Sequence, residues 1–220
     1  MCFSPSVSLF VFIVELILAA IVLLKNPKKG FNRLTALILF LLGLYQLGEF
    51  LICRSGNPLL WAKLARLFYA FLPALGVHWA YKLKNGKKDI GWIYLFPAIF
   101  ALIELSIPNF VTATACIDCM VKINCAWTPV QFFSYSIYYF SFISAAIAIL
   151  LDAFTKEKNK IKKRVLFFGL ASFLVFSIPA FVLLIIFPKF YAFFPSLYCE
   201  FALLFAMMVF YTLDLKEKHG

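Results

Sequence analysis

The chain has 220 residues, of which 64% are hydrophobic, 19% aromatic and 14% charged. A soluble fold of this length could not withdraw that much Phe and Leu surface from water, so the composition excludes a water-soluble domain and points to an integral protein of the cell membrane with the lipid bilayer as its surroundings. The formal net charge of +11 does not indicate nucleic acid, because the lysines fall between the apolar runs, where they act as a topology signal.

A transmembrane helix takes about 20 mostly apolar residues, and seven segments meet this requirement, at 8–24, 34–53, 61–81, 90–107, 130–151, 165–187 and 194–213. The expected fold class is therefore all-α, a single seven-helix transmembrane domain over residues 1–220. The first span carries one acid, Glu15, near its middle, expected to form the floor of an outer cavity. The loop after it holds Lys25, Lys28, Lys29 and Arg33; the loop after the third span holds Lys82, Lys84, Lys87 and Lys88; the loop after the fifth holds Lys156, Lys158, Lys160, Lys162, Lys163 and Arg164. The alternate loops are nearly free of basic residues, which predicts an outside N-terminus and a cytoplasmic C-terminus.

The second span ends YQLGEFLIC, with Gln46, Glu49 and Cys53 at i, i+3 and i+7 on one helical face climbing toward the outer surface. A charged group inside a bilayer is expensive and faces the bundle interior and a partner. Glu49 is thus a candidate site residue, and Arg66 in the third span is the cation nearest to hand. His78, beside Trp79 and Lys82, reads as an interfacial residue. Pro73, Pro97 and Pro179 lie inside the third, fourth and sixth spans and are expected to kink them. The fifth span opens QFFSYSIYYFSF, so Tyr135 and Tyr138 belong to a polar outer half, and the seventh opens FPSLYCEF, adding Cys199 and Glu200.

With this topology the six cysteines gather on the outer side: Cys2 before the first span, Cys53, Cys199, and Cys116, Cys119 and Cys125 in the long loop TATACIDCMVKINCAW. An oxidising outer side makes the three loop cysteines disulfide candidates, bridging within the loop or onto it, with Cys53 and Cys199 also open to Cys2. The Cys-x2-Cys-x5-Cys spacing has no nearby histidine and is a weak zinc signal. Cys2 admits several readings: removal of Met1 would place an amine and a thiol side by side, suited to chelating a soft metal ion with Glu49 or to nucleophilic attack with Glu49 taking its proton, while a disulfide or lipidation are the plainer roles.

The opening MCFSPSVS together with YQLGEFLI resembles a family of uncharacterised prokaryotic membrane proteins that begin Met-Cys-Phe-Ser and carry Gln-x-x-Glu in the second helix. The family positions correspond to Cys2, Phe3, Ser4, Gln46 and Glu49, and the chain departs from the pattern at Phe50, where the resemblance leads one to expect glycine. A looser likeness runs from KNPKKGFNR to HWAYK and is similar to the seven-helix sensing region preceding some bacterial histidine kinases, with Asn32 and Arg33 as the pair opening the second helix. This resemblance implies a seven-helix fold and a sensing role. With no kinase domain expected after Leu215, a partner protein would supply the output.

Three functions follow as expectations. The first is a sensor-like protein binding a small ligand or metal ion in an outer pocket of Cys2, Ser4, Gln46, Glu49, Arg66, Tyr135, Tyr138, Cys199 and Glu200. The second is an enzyme acting through Cys2, with Glu49 as its base. The third is a small transporter. No lysine interrupts the seventh span, which removes a retinal Schiff base of the rhodopsin kind.

Overall fold

The computed structural model describes residues 5–85, 90–117, 120–186 and 194–219. Seven α-helices run through them in chain order: α1 (Pro5–Lys25), α2 (Gly30–Arg54), α3 (Pro58–Asn85), α4 (Leu95–Ser106), α5 (Pro129–Lys156), α6 (Lys160–Ile186) and α7 (Phe194–His219). A single 3-10 turn, Gly91–Tyr94, leads into α4. Among the described residues α1, α2, α3 up to Lys84 and α5 are long and apolar enough to cross a membrane.

Local chemistry explains where the helices start. Thr128 and Gln131 form a reciprocal capping box at α5, with Pro129 in the first turn. Asn57 accepts from the amide of Leu60 ahead of α3, and Asn159 accepts from the amides of Ile161 and Lys162 at the head of α6.

The region 90–107, expected as one span, forms the 3-10 turn leading into a 12-residue α4, a shorter apolar helical stretch over Gly91–Ser106. Pro97 stands in the first turn of α4, where an amide would have no helical acceptor, so it begins the helix and does not kink it. Pro73 and Pro179 do lie inside α3 and α6.

The fold is all-α, and the long loop between α4 and α5 carries a small strand element. It forms an antiparallel hairpin of β1 (Val111–Ile117) and β2 (Met120–Cys125), with Cys116 opposite Val121 and Val111 opposite Cys125. The β-branched residues Val111, Thr112, Thr114, Val121 and Ile123 are a strand signal. Phe110, Val111 and Val121 pack on Ile52 of α2 and Ala62 of α3, so the hairpin caps one end of the bundle. A disulfide between Cys53 at the end of α2 and Cys116 on β1 ties it down.

Helices α2 and α3 approach closely at Gly48, where an added Cβ would stand 2.7 Å from the Cβ of Ala65. This close contact sits one residue before Glu49, whereas the family resemblance leads one to expect glycine one residue after it. Deeper in the bundle Trp79 is fully buried, donates to the hydroxyl of Thr35 at 3.0 Å and stacks on Phe31. His78 is buried and shares a hydrogen bond of 2.7 Å with the Tyr94 hydroxyl. At the lysine-rich end α7 is fastened to α1 and α2 by Lys25 with Asp214 at 2.7 Å, and by Asn32, whose amide donates to Glu217 at 2.8 Å. Lys84 and Asp152 join α3 to α5 at 2.6 Å.

Candidate functional site

Two polar clusters lie toward the hairpin end, joined by tyrosine rings. The first is on α2. Gln46 and Glu49 are both buried, as expected for polar groups facing the bundle interior, and the Tyr45 hydroxyl donates to Glu49 Oε1 at 3.1 Å. Their common face follows from the three-residue spacing, about one helical turn.

Arg66 belongs to the second cluster, which corrects the expected pairing with Glu49. Its guanidinium Nη2 lies 2.9 Å from Glu104 Oε1 on α4. The reason is rotational: Ala65 is the residue pressed against Gly48 of α2, and the next residue points about 100° away around the helix. Three rings surround the guanidinium, those of Trp127, Phe110 and Tyr135, with centroids at 5.4, 5.5 and 5.6 Å. Each can stabilise the cation through its π face. Phe110 and Trp127 flank the hairpin, so the cluster is complete only when the hairpin is seated.

The hydrogen bonding of this cluster is incomplete. Arg66 Nε, Glu104 Oε2 and the Tyr135 hydroxyl are all buried and have no hydrogen-bond partner among the described residues. Native interiors satisfy nearly all such groups, because each unmet one forfeits its hydration without return. Beside them lies the thiol of Cys125, which is unbonded to another cysteine. Burial pushes this thiol above the ordinary value of 9.0; Arg66 opposes the shift, Glu104 adds to it, and a hydrogen bond from Trp127 opposes it. The thiol is therefore protonated near neutral pH and is a weak nucleophile there.

The tyrosines link the two clusters. Tyr69 on α3 contacts Tyr45 at 5.7 Å, Tyr135 at 6.3 Å and Tyr139 at 4.6 Å between ring centroids. Tyr45, Tyr69 and Tyr139 also line a narrow crevice with Leu42, Leu72, Phe176 and Ala202, whose volume of about 10 Å³ is room for roughly one water molecule. That is smaller than pockets for drug-sized molecules, which start near ~300 Å³. Tyr138 is buried but turned to a structural task, donating to the carbonyl of Ala70 at 2.8 Å in the stretch of α3 disturbed by Pro73.

Cys2 and Ser4 lie outside the described residues, as does Cys119, while Cys199 and Glu200 fall in the first turns of α7 with side chains outside the description. Of the three loop cysteines expected as disulfide partners, Cys116 bridges to Cys53 and Cys125 is a free thiol. Cys125 lies four residues along β2 from Val121, the register partner of Cys116, and is beside Arg66, which keeps it out of the bridge. Among the described residues no group of three His, Cys, Asp or Glu side chains could hold a metal ion.

Glu104, near the end of the fourth apolar segment, Phe110 and Trp127 had no partner assignable from the sequence. The available signal was one acid in the fourth apolar segment and one arginine in the third, each needing compensation in a membrane. Comparison with protein-family models, curated proteins and solved structures gave no match.

Proposed function

We propose that this chain is a seven-helix integral membrane protein, hairpin end outside and lysine-rich end cytoplasmic, which receives a small polar ligand in a sensor-like role. The observation that carries the reading is the set of unmet polar atoms at Arg66, Glu104 and Tyr135, gathered in one buried, ring-lined cluster. A guanidinium N–H offers a donor, a carboxylate oxygen an acceptor and a phenol either role, so a ligand bearing both a hydrogen-bond acceptor and a donor would complete all three. Gln46, Glu49 and the tyrosine-lined crevice form the adjoining wall. Exposed Phe10, Ile17, Leu24, Val130 and Phe133 support the bilayer as the protein's surroundings. Resemblance to kinase-linked sensing regions supports a protein partner that carries the output.

The test is a thermal-shift screen of the detergent-purified protein against small carboxylates, amines and zwitterions. At least one chemical class should raise the melting temperature of the natural protein and leave Glu104→Gln and Tyr135→Phe unchanged. Absence of any stabilising class, or equal stabilisation of both variants, would remove the reading.

A further inference from the structure

We infer that Glu15 is a proton-binding site in the middle of α1, reached from the hairpin end along the seam between α1 and α2. The residue is fully buried, and neither carboxyl oxygen has a hydrogen-bond partner among the described residues. It sits ten residues from the lysine-rich end of a 21-residue helix whose apolar length suits a membrane crossing.

The surroundings select the ligand. Helix α1 packs against α2 and α7. On α2 the residue facing Glu15 is Gly43, whose added Cβ would stand 3.5 Å from the Glu15 Cβ and 3.3 Å from the Phe12 ring. The ionisable residues of α2 on the hairpin side of Gly43 are Tyr45 and Glu49, hydrogen-bonded to each other, and Cys53, held in its disulfide, with Arg54 at the helix end; Arg33 is near the lysine-rich end. On α7 the buried described side chains over this depth are Ala202, Phe205, Ala206 and Val209, all apolar. Its described charged and titratable groups lie farther along: Tyr211 is exposed, Asp214 is paired with Lys25, Lys216 rests on Phe31 and Glu217 holds Asn32. No described cation faces Glu15. A metal ion would need several oxygen ligands, whereas a proton needs one carboxylate oxygen and leaves a neutral acid suited to apolar walls. The binding step is simple: the carboxylate takes one proton and forms the O–H bond, with no other group consumed.

The route follows from α2. Gly43, Gln46 and Glu49 succeed one another at three-residue intervals, about 4.5 Å apart along the axis. Gln46 and Glu49 are buried and carry hydrogen-bonding groups in the direction of the hairpin end, so protons entering there meet Glu49, then Gln46, then Glu15.

The experiment uses the full-length protein in phosphatidylcholine vesicles with dicyclohexylcarbodiimide, an apolar reagent that couples to protonated carboxyls, and infrared spectroscopy. Glu15 is the one carboxyl side chain in residues 1–25, so a carbodiimide adduct on that peptide identifies it. We expect the adduct in the natural protein and none in Glu15→Gln, together with loss of one protonated-carboxyl stretching band in that variant. Should Glu15→Gln fail to fold, adduct mapping on the natural chain decides alone. In Gln46→Leu the deuterium shift of the band should slow about tenfold or more, the effect of raising the transfer barrier by one hydrogen-bonding step. An unlabelled 1–25 peptide, or a band unchanged in Glu15→Gln, would overturn the proton site, and unaltered exchange in Gln46→Leu would overturn the route.

Discussion

Arg66 and Glu104, 38 residues apart in the chain, meet at 2.9 Å in a buried ion pair that joins α3 to α4. The pair uses one guanidinium nitrogen and one carboxylate oxygen, and the remaining oxygen and Nε are what make this cluster receptive. A buried pair costs much to assemble, since each ion gives up its hydration, and it costs more to halve. The short α4 thus depends on Arg66 for the one charge it carries into the bundle.

Removing one partner leaves the other uncompensated. Glu104→Ala is expected to destabilise the protein by about 3–5 kcal/mol. The double variant Arg66→Met with Glu104→Met should recover most of that loss, because two apolar side chains of comparable length leave no buried charge. Detergent unfolding of Arg66→Met, Glu104→Met and the double variant gives the coupling energy. Simple additivity of the single losses would show that the two groups do not act as a pair.

The Cys53–Cys116 bridge closes a sequence separation of 63 residues. Replacing Cys53 by serine is expected to cost about 2–4 kcal/mol, the range for a disulfide closing a long loop. Non-reducing peptide mapping should recover the peptide of Cys53 joined to that of Cys116, with Cys125 alkylated only slowly in the folded protein at neutral pH. Since Arg66 opposes and Glu104 reinforces the upward push on the thiol, alkylation should slow in Arg66→Met and quicken in Glu104→Gln. Equal rates in all three proteins would show that the two charges do not act on Cys125.

Lys216 at the lysine-rich end has its ammonium 3.7 Å from the centroid of the Phe31 ring. Burial, with Lys29 and Lys82 adding repulsion, pushes it down from 10.5 to about 8. Below about pH 8 both folded and unfolded chains carry the proton, and the cost of burying the charge is present in full. Between that value and 10.5 the unfolded chain binds more proton than the folded one, so this contribution to stability rises with pH. Lys216→Met should therefore be more stable than the natural protein at pH 7, with the gap closing as pH rises from about 8 toward 10.5. Melting curves across that interval check the sign; a gap that widens would refute it.

Much of the helical architecture was readable from the residues. Apolar runs near the length of a bilayer, broken by lysine-rich loops, define helices because the backbone must satisfy its own hydrogen bonds wherever hydrocarbon surrounds it. The same reasoning pointed Gln46 and Glu49 inward, since a three-residue interval on a helix fixes a common face and polar groups avoid lipid. It also marked the cysteine-rich loop as a place for bridges without choosing among them.

What only the tertiary structure decided depends on the relative rotation and depth of packed helices, which no local pattern encodes. Arg66 was assigned to Glu49 because both lie near the same end of neighbouring spans; the tight contact of Gly48 with Ala65 turned it instead to Glu104. The choice of Cys53 for Cys116, with Cys125 left as a thiol beside Arg66, came from the register of the hairpin. Composition and periodicity specify which groups must find partners, because burial penalises every unmet charge and hydrogen bond. The identity of each partner is a property of the packed bundle.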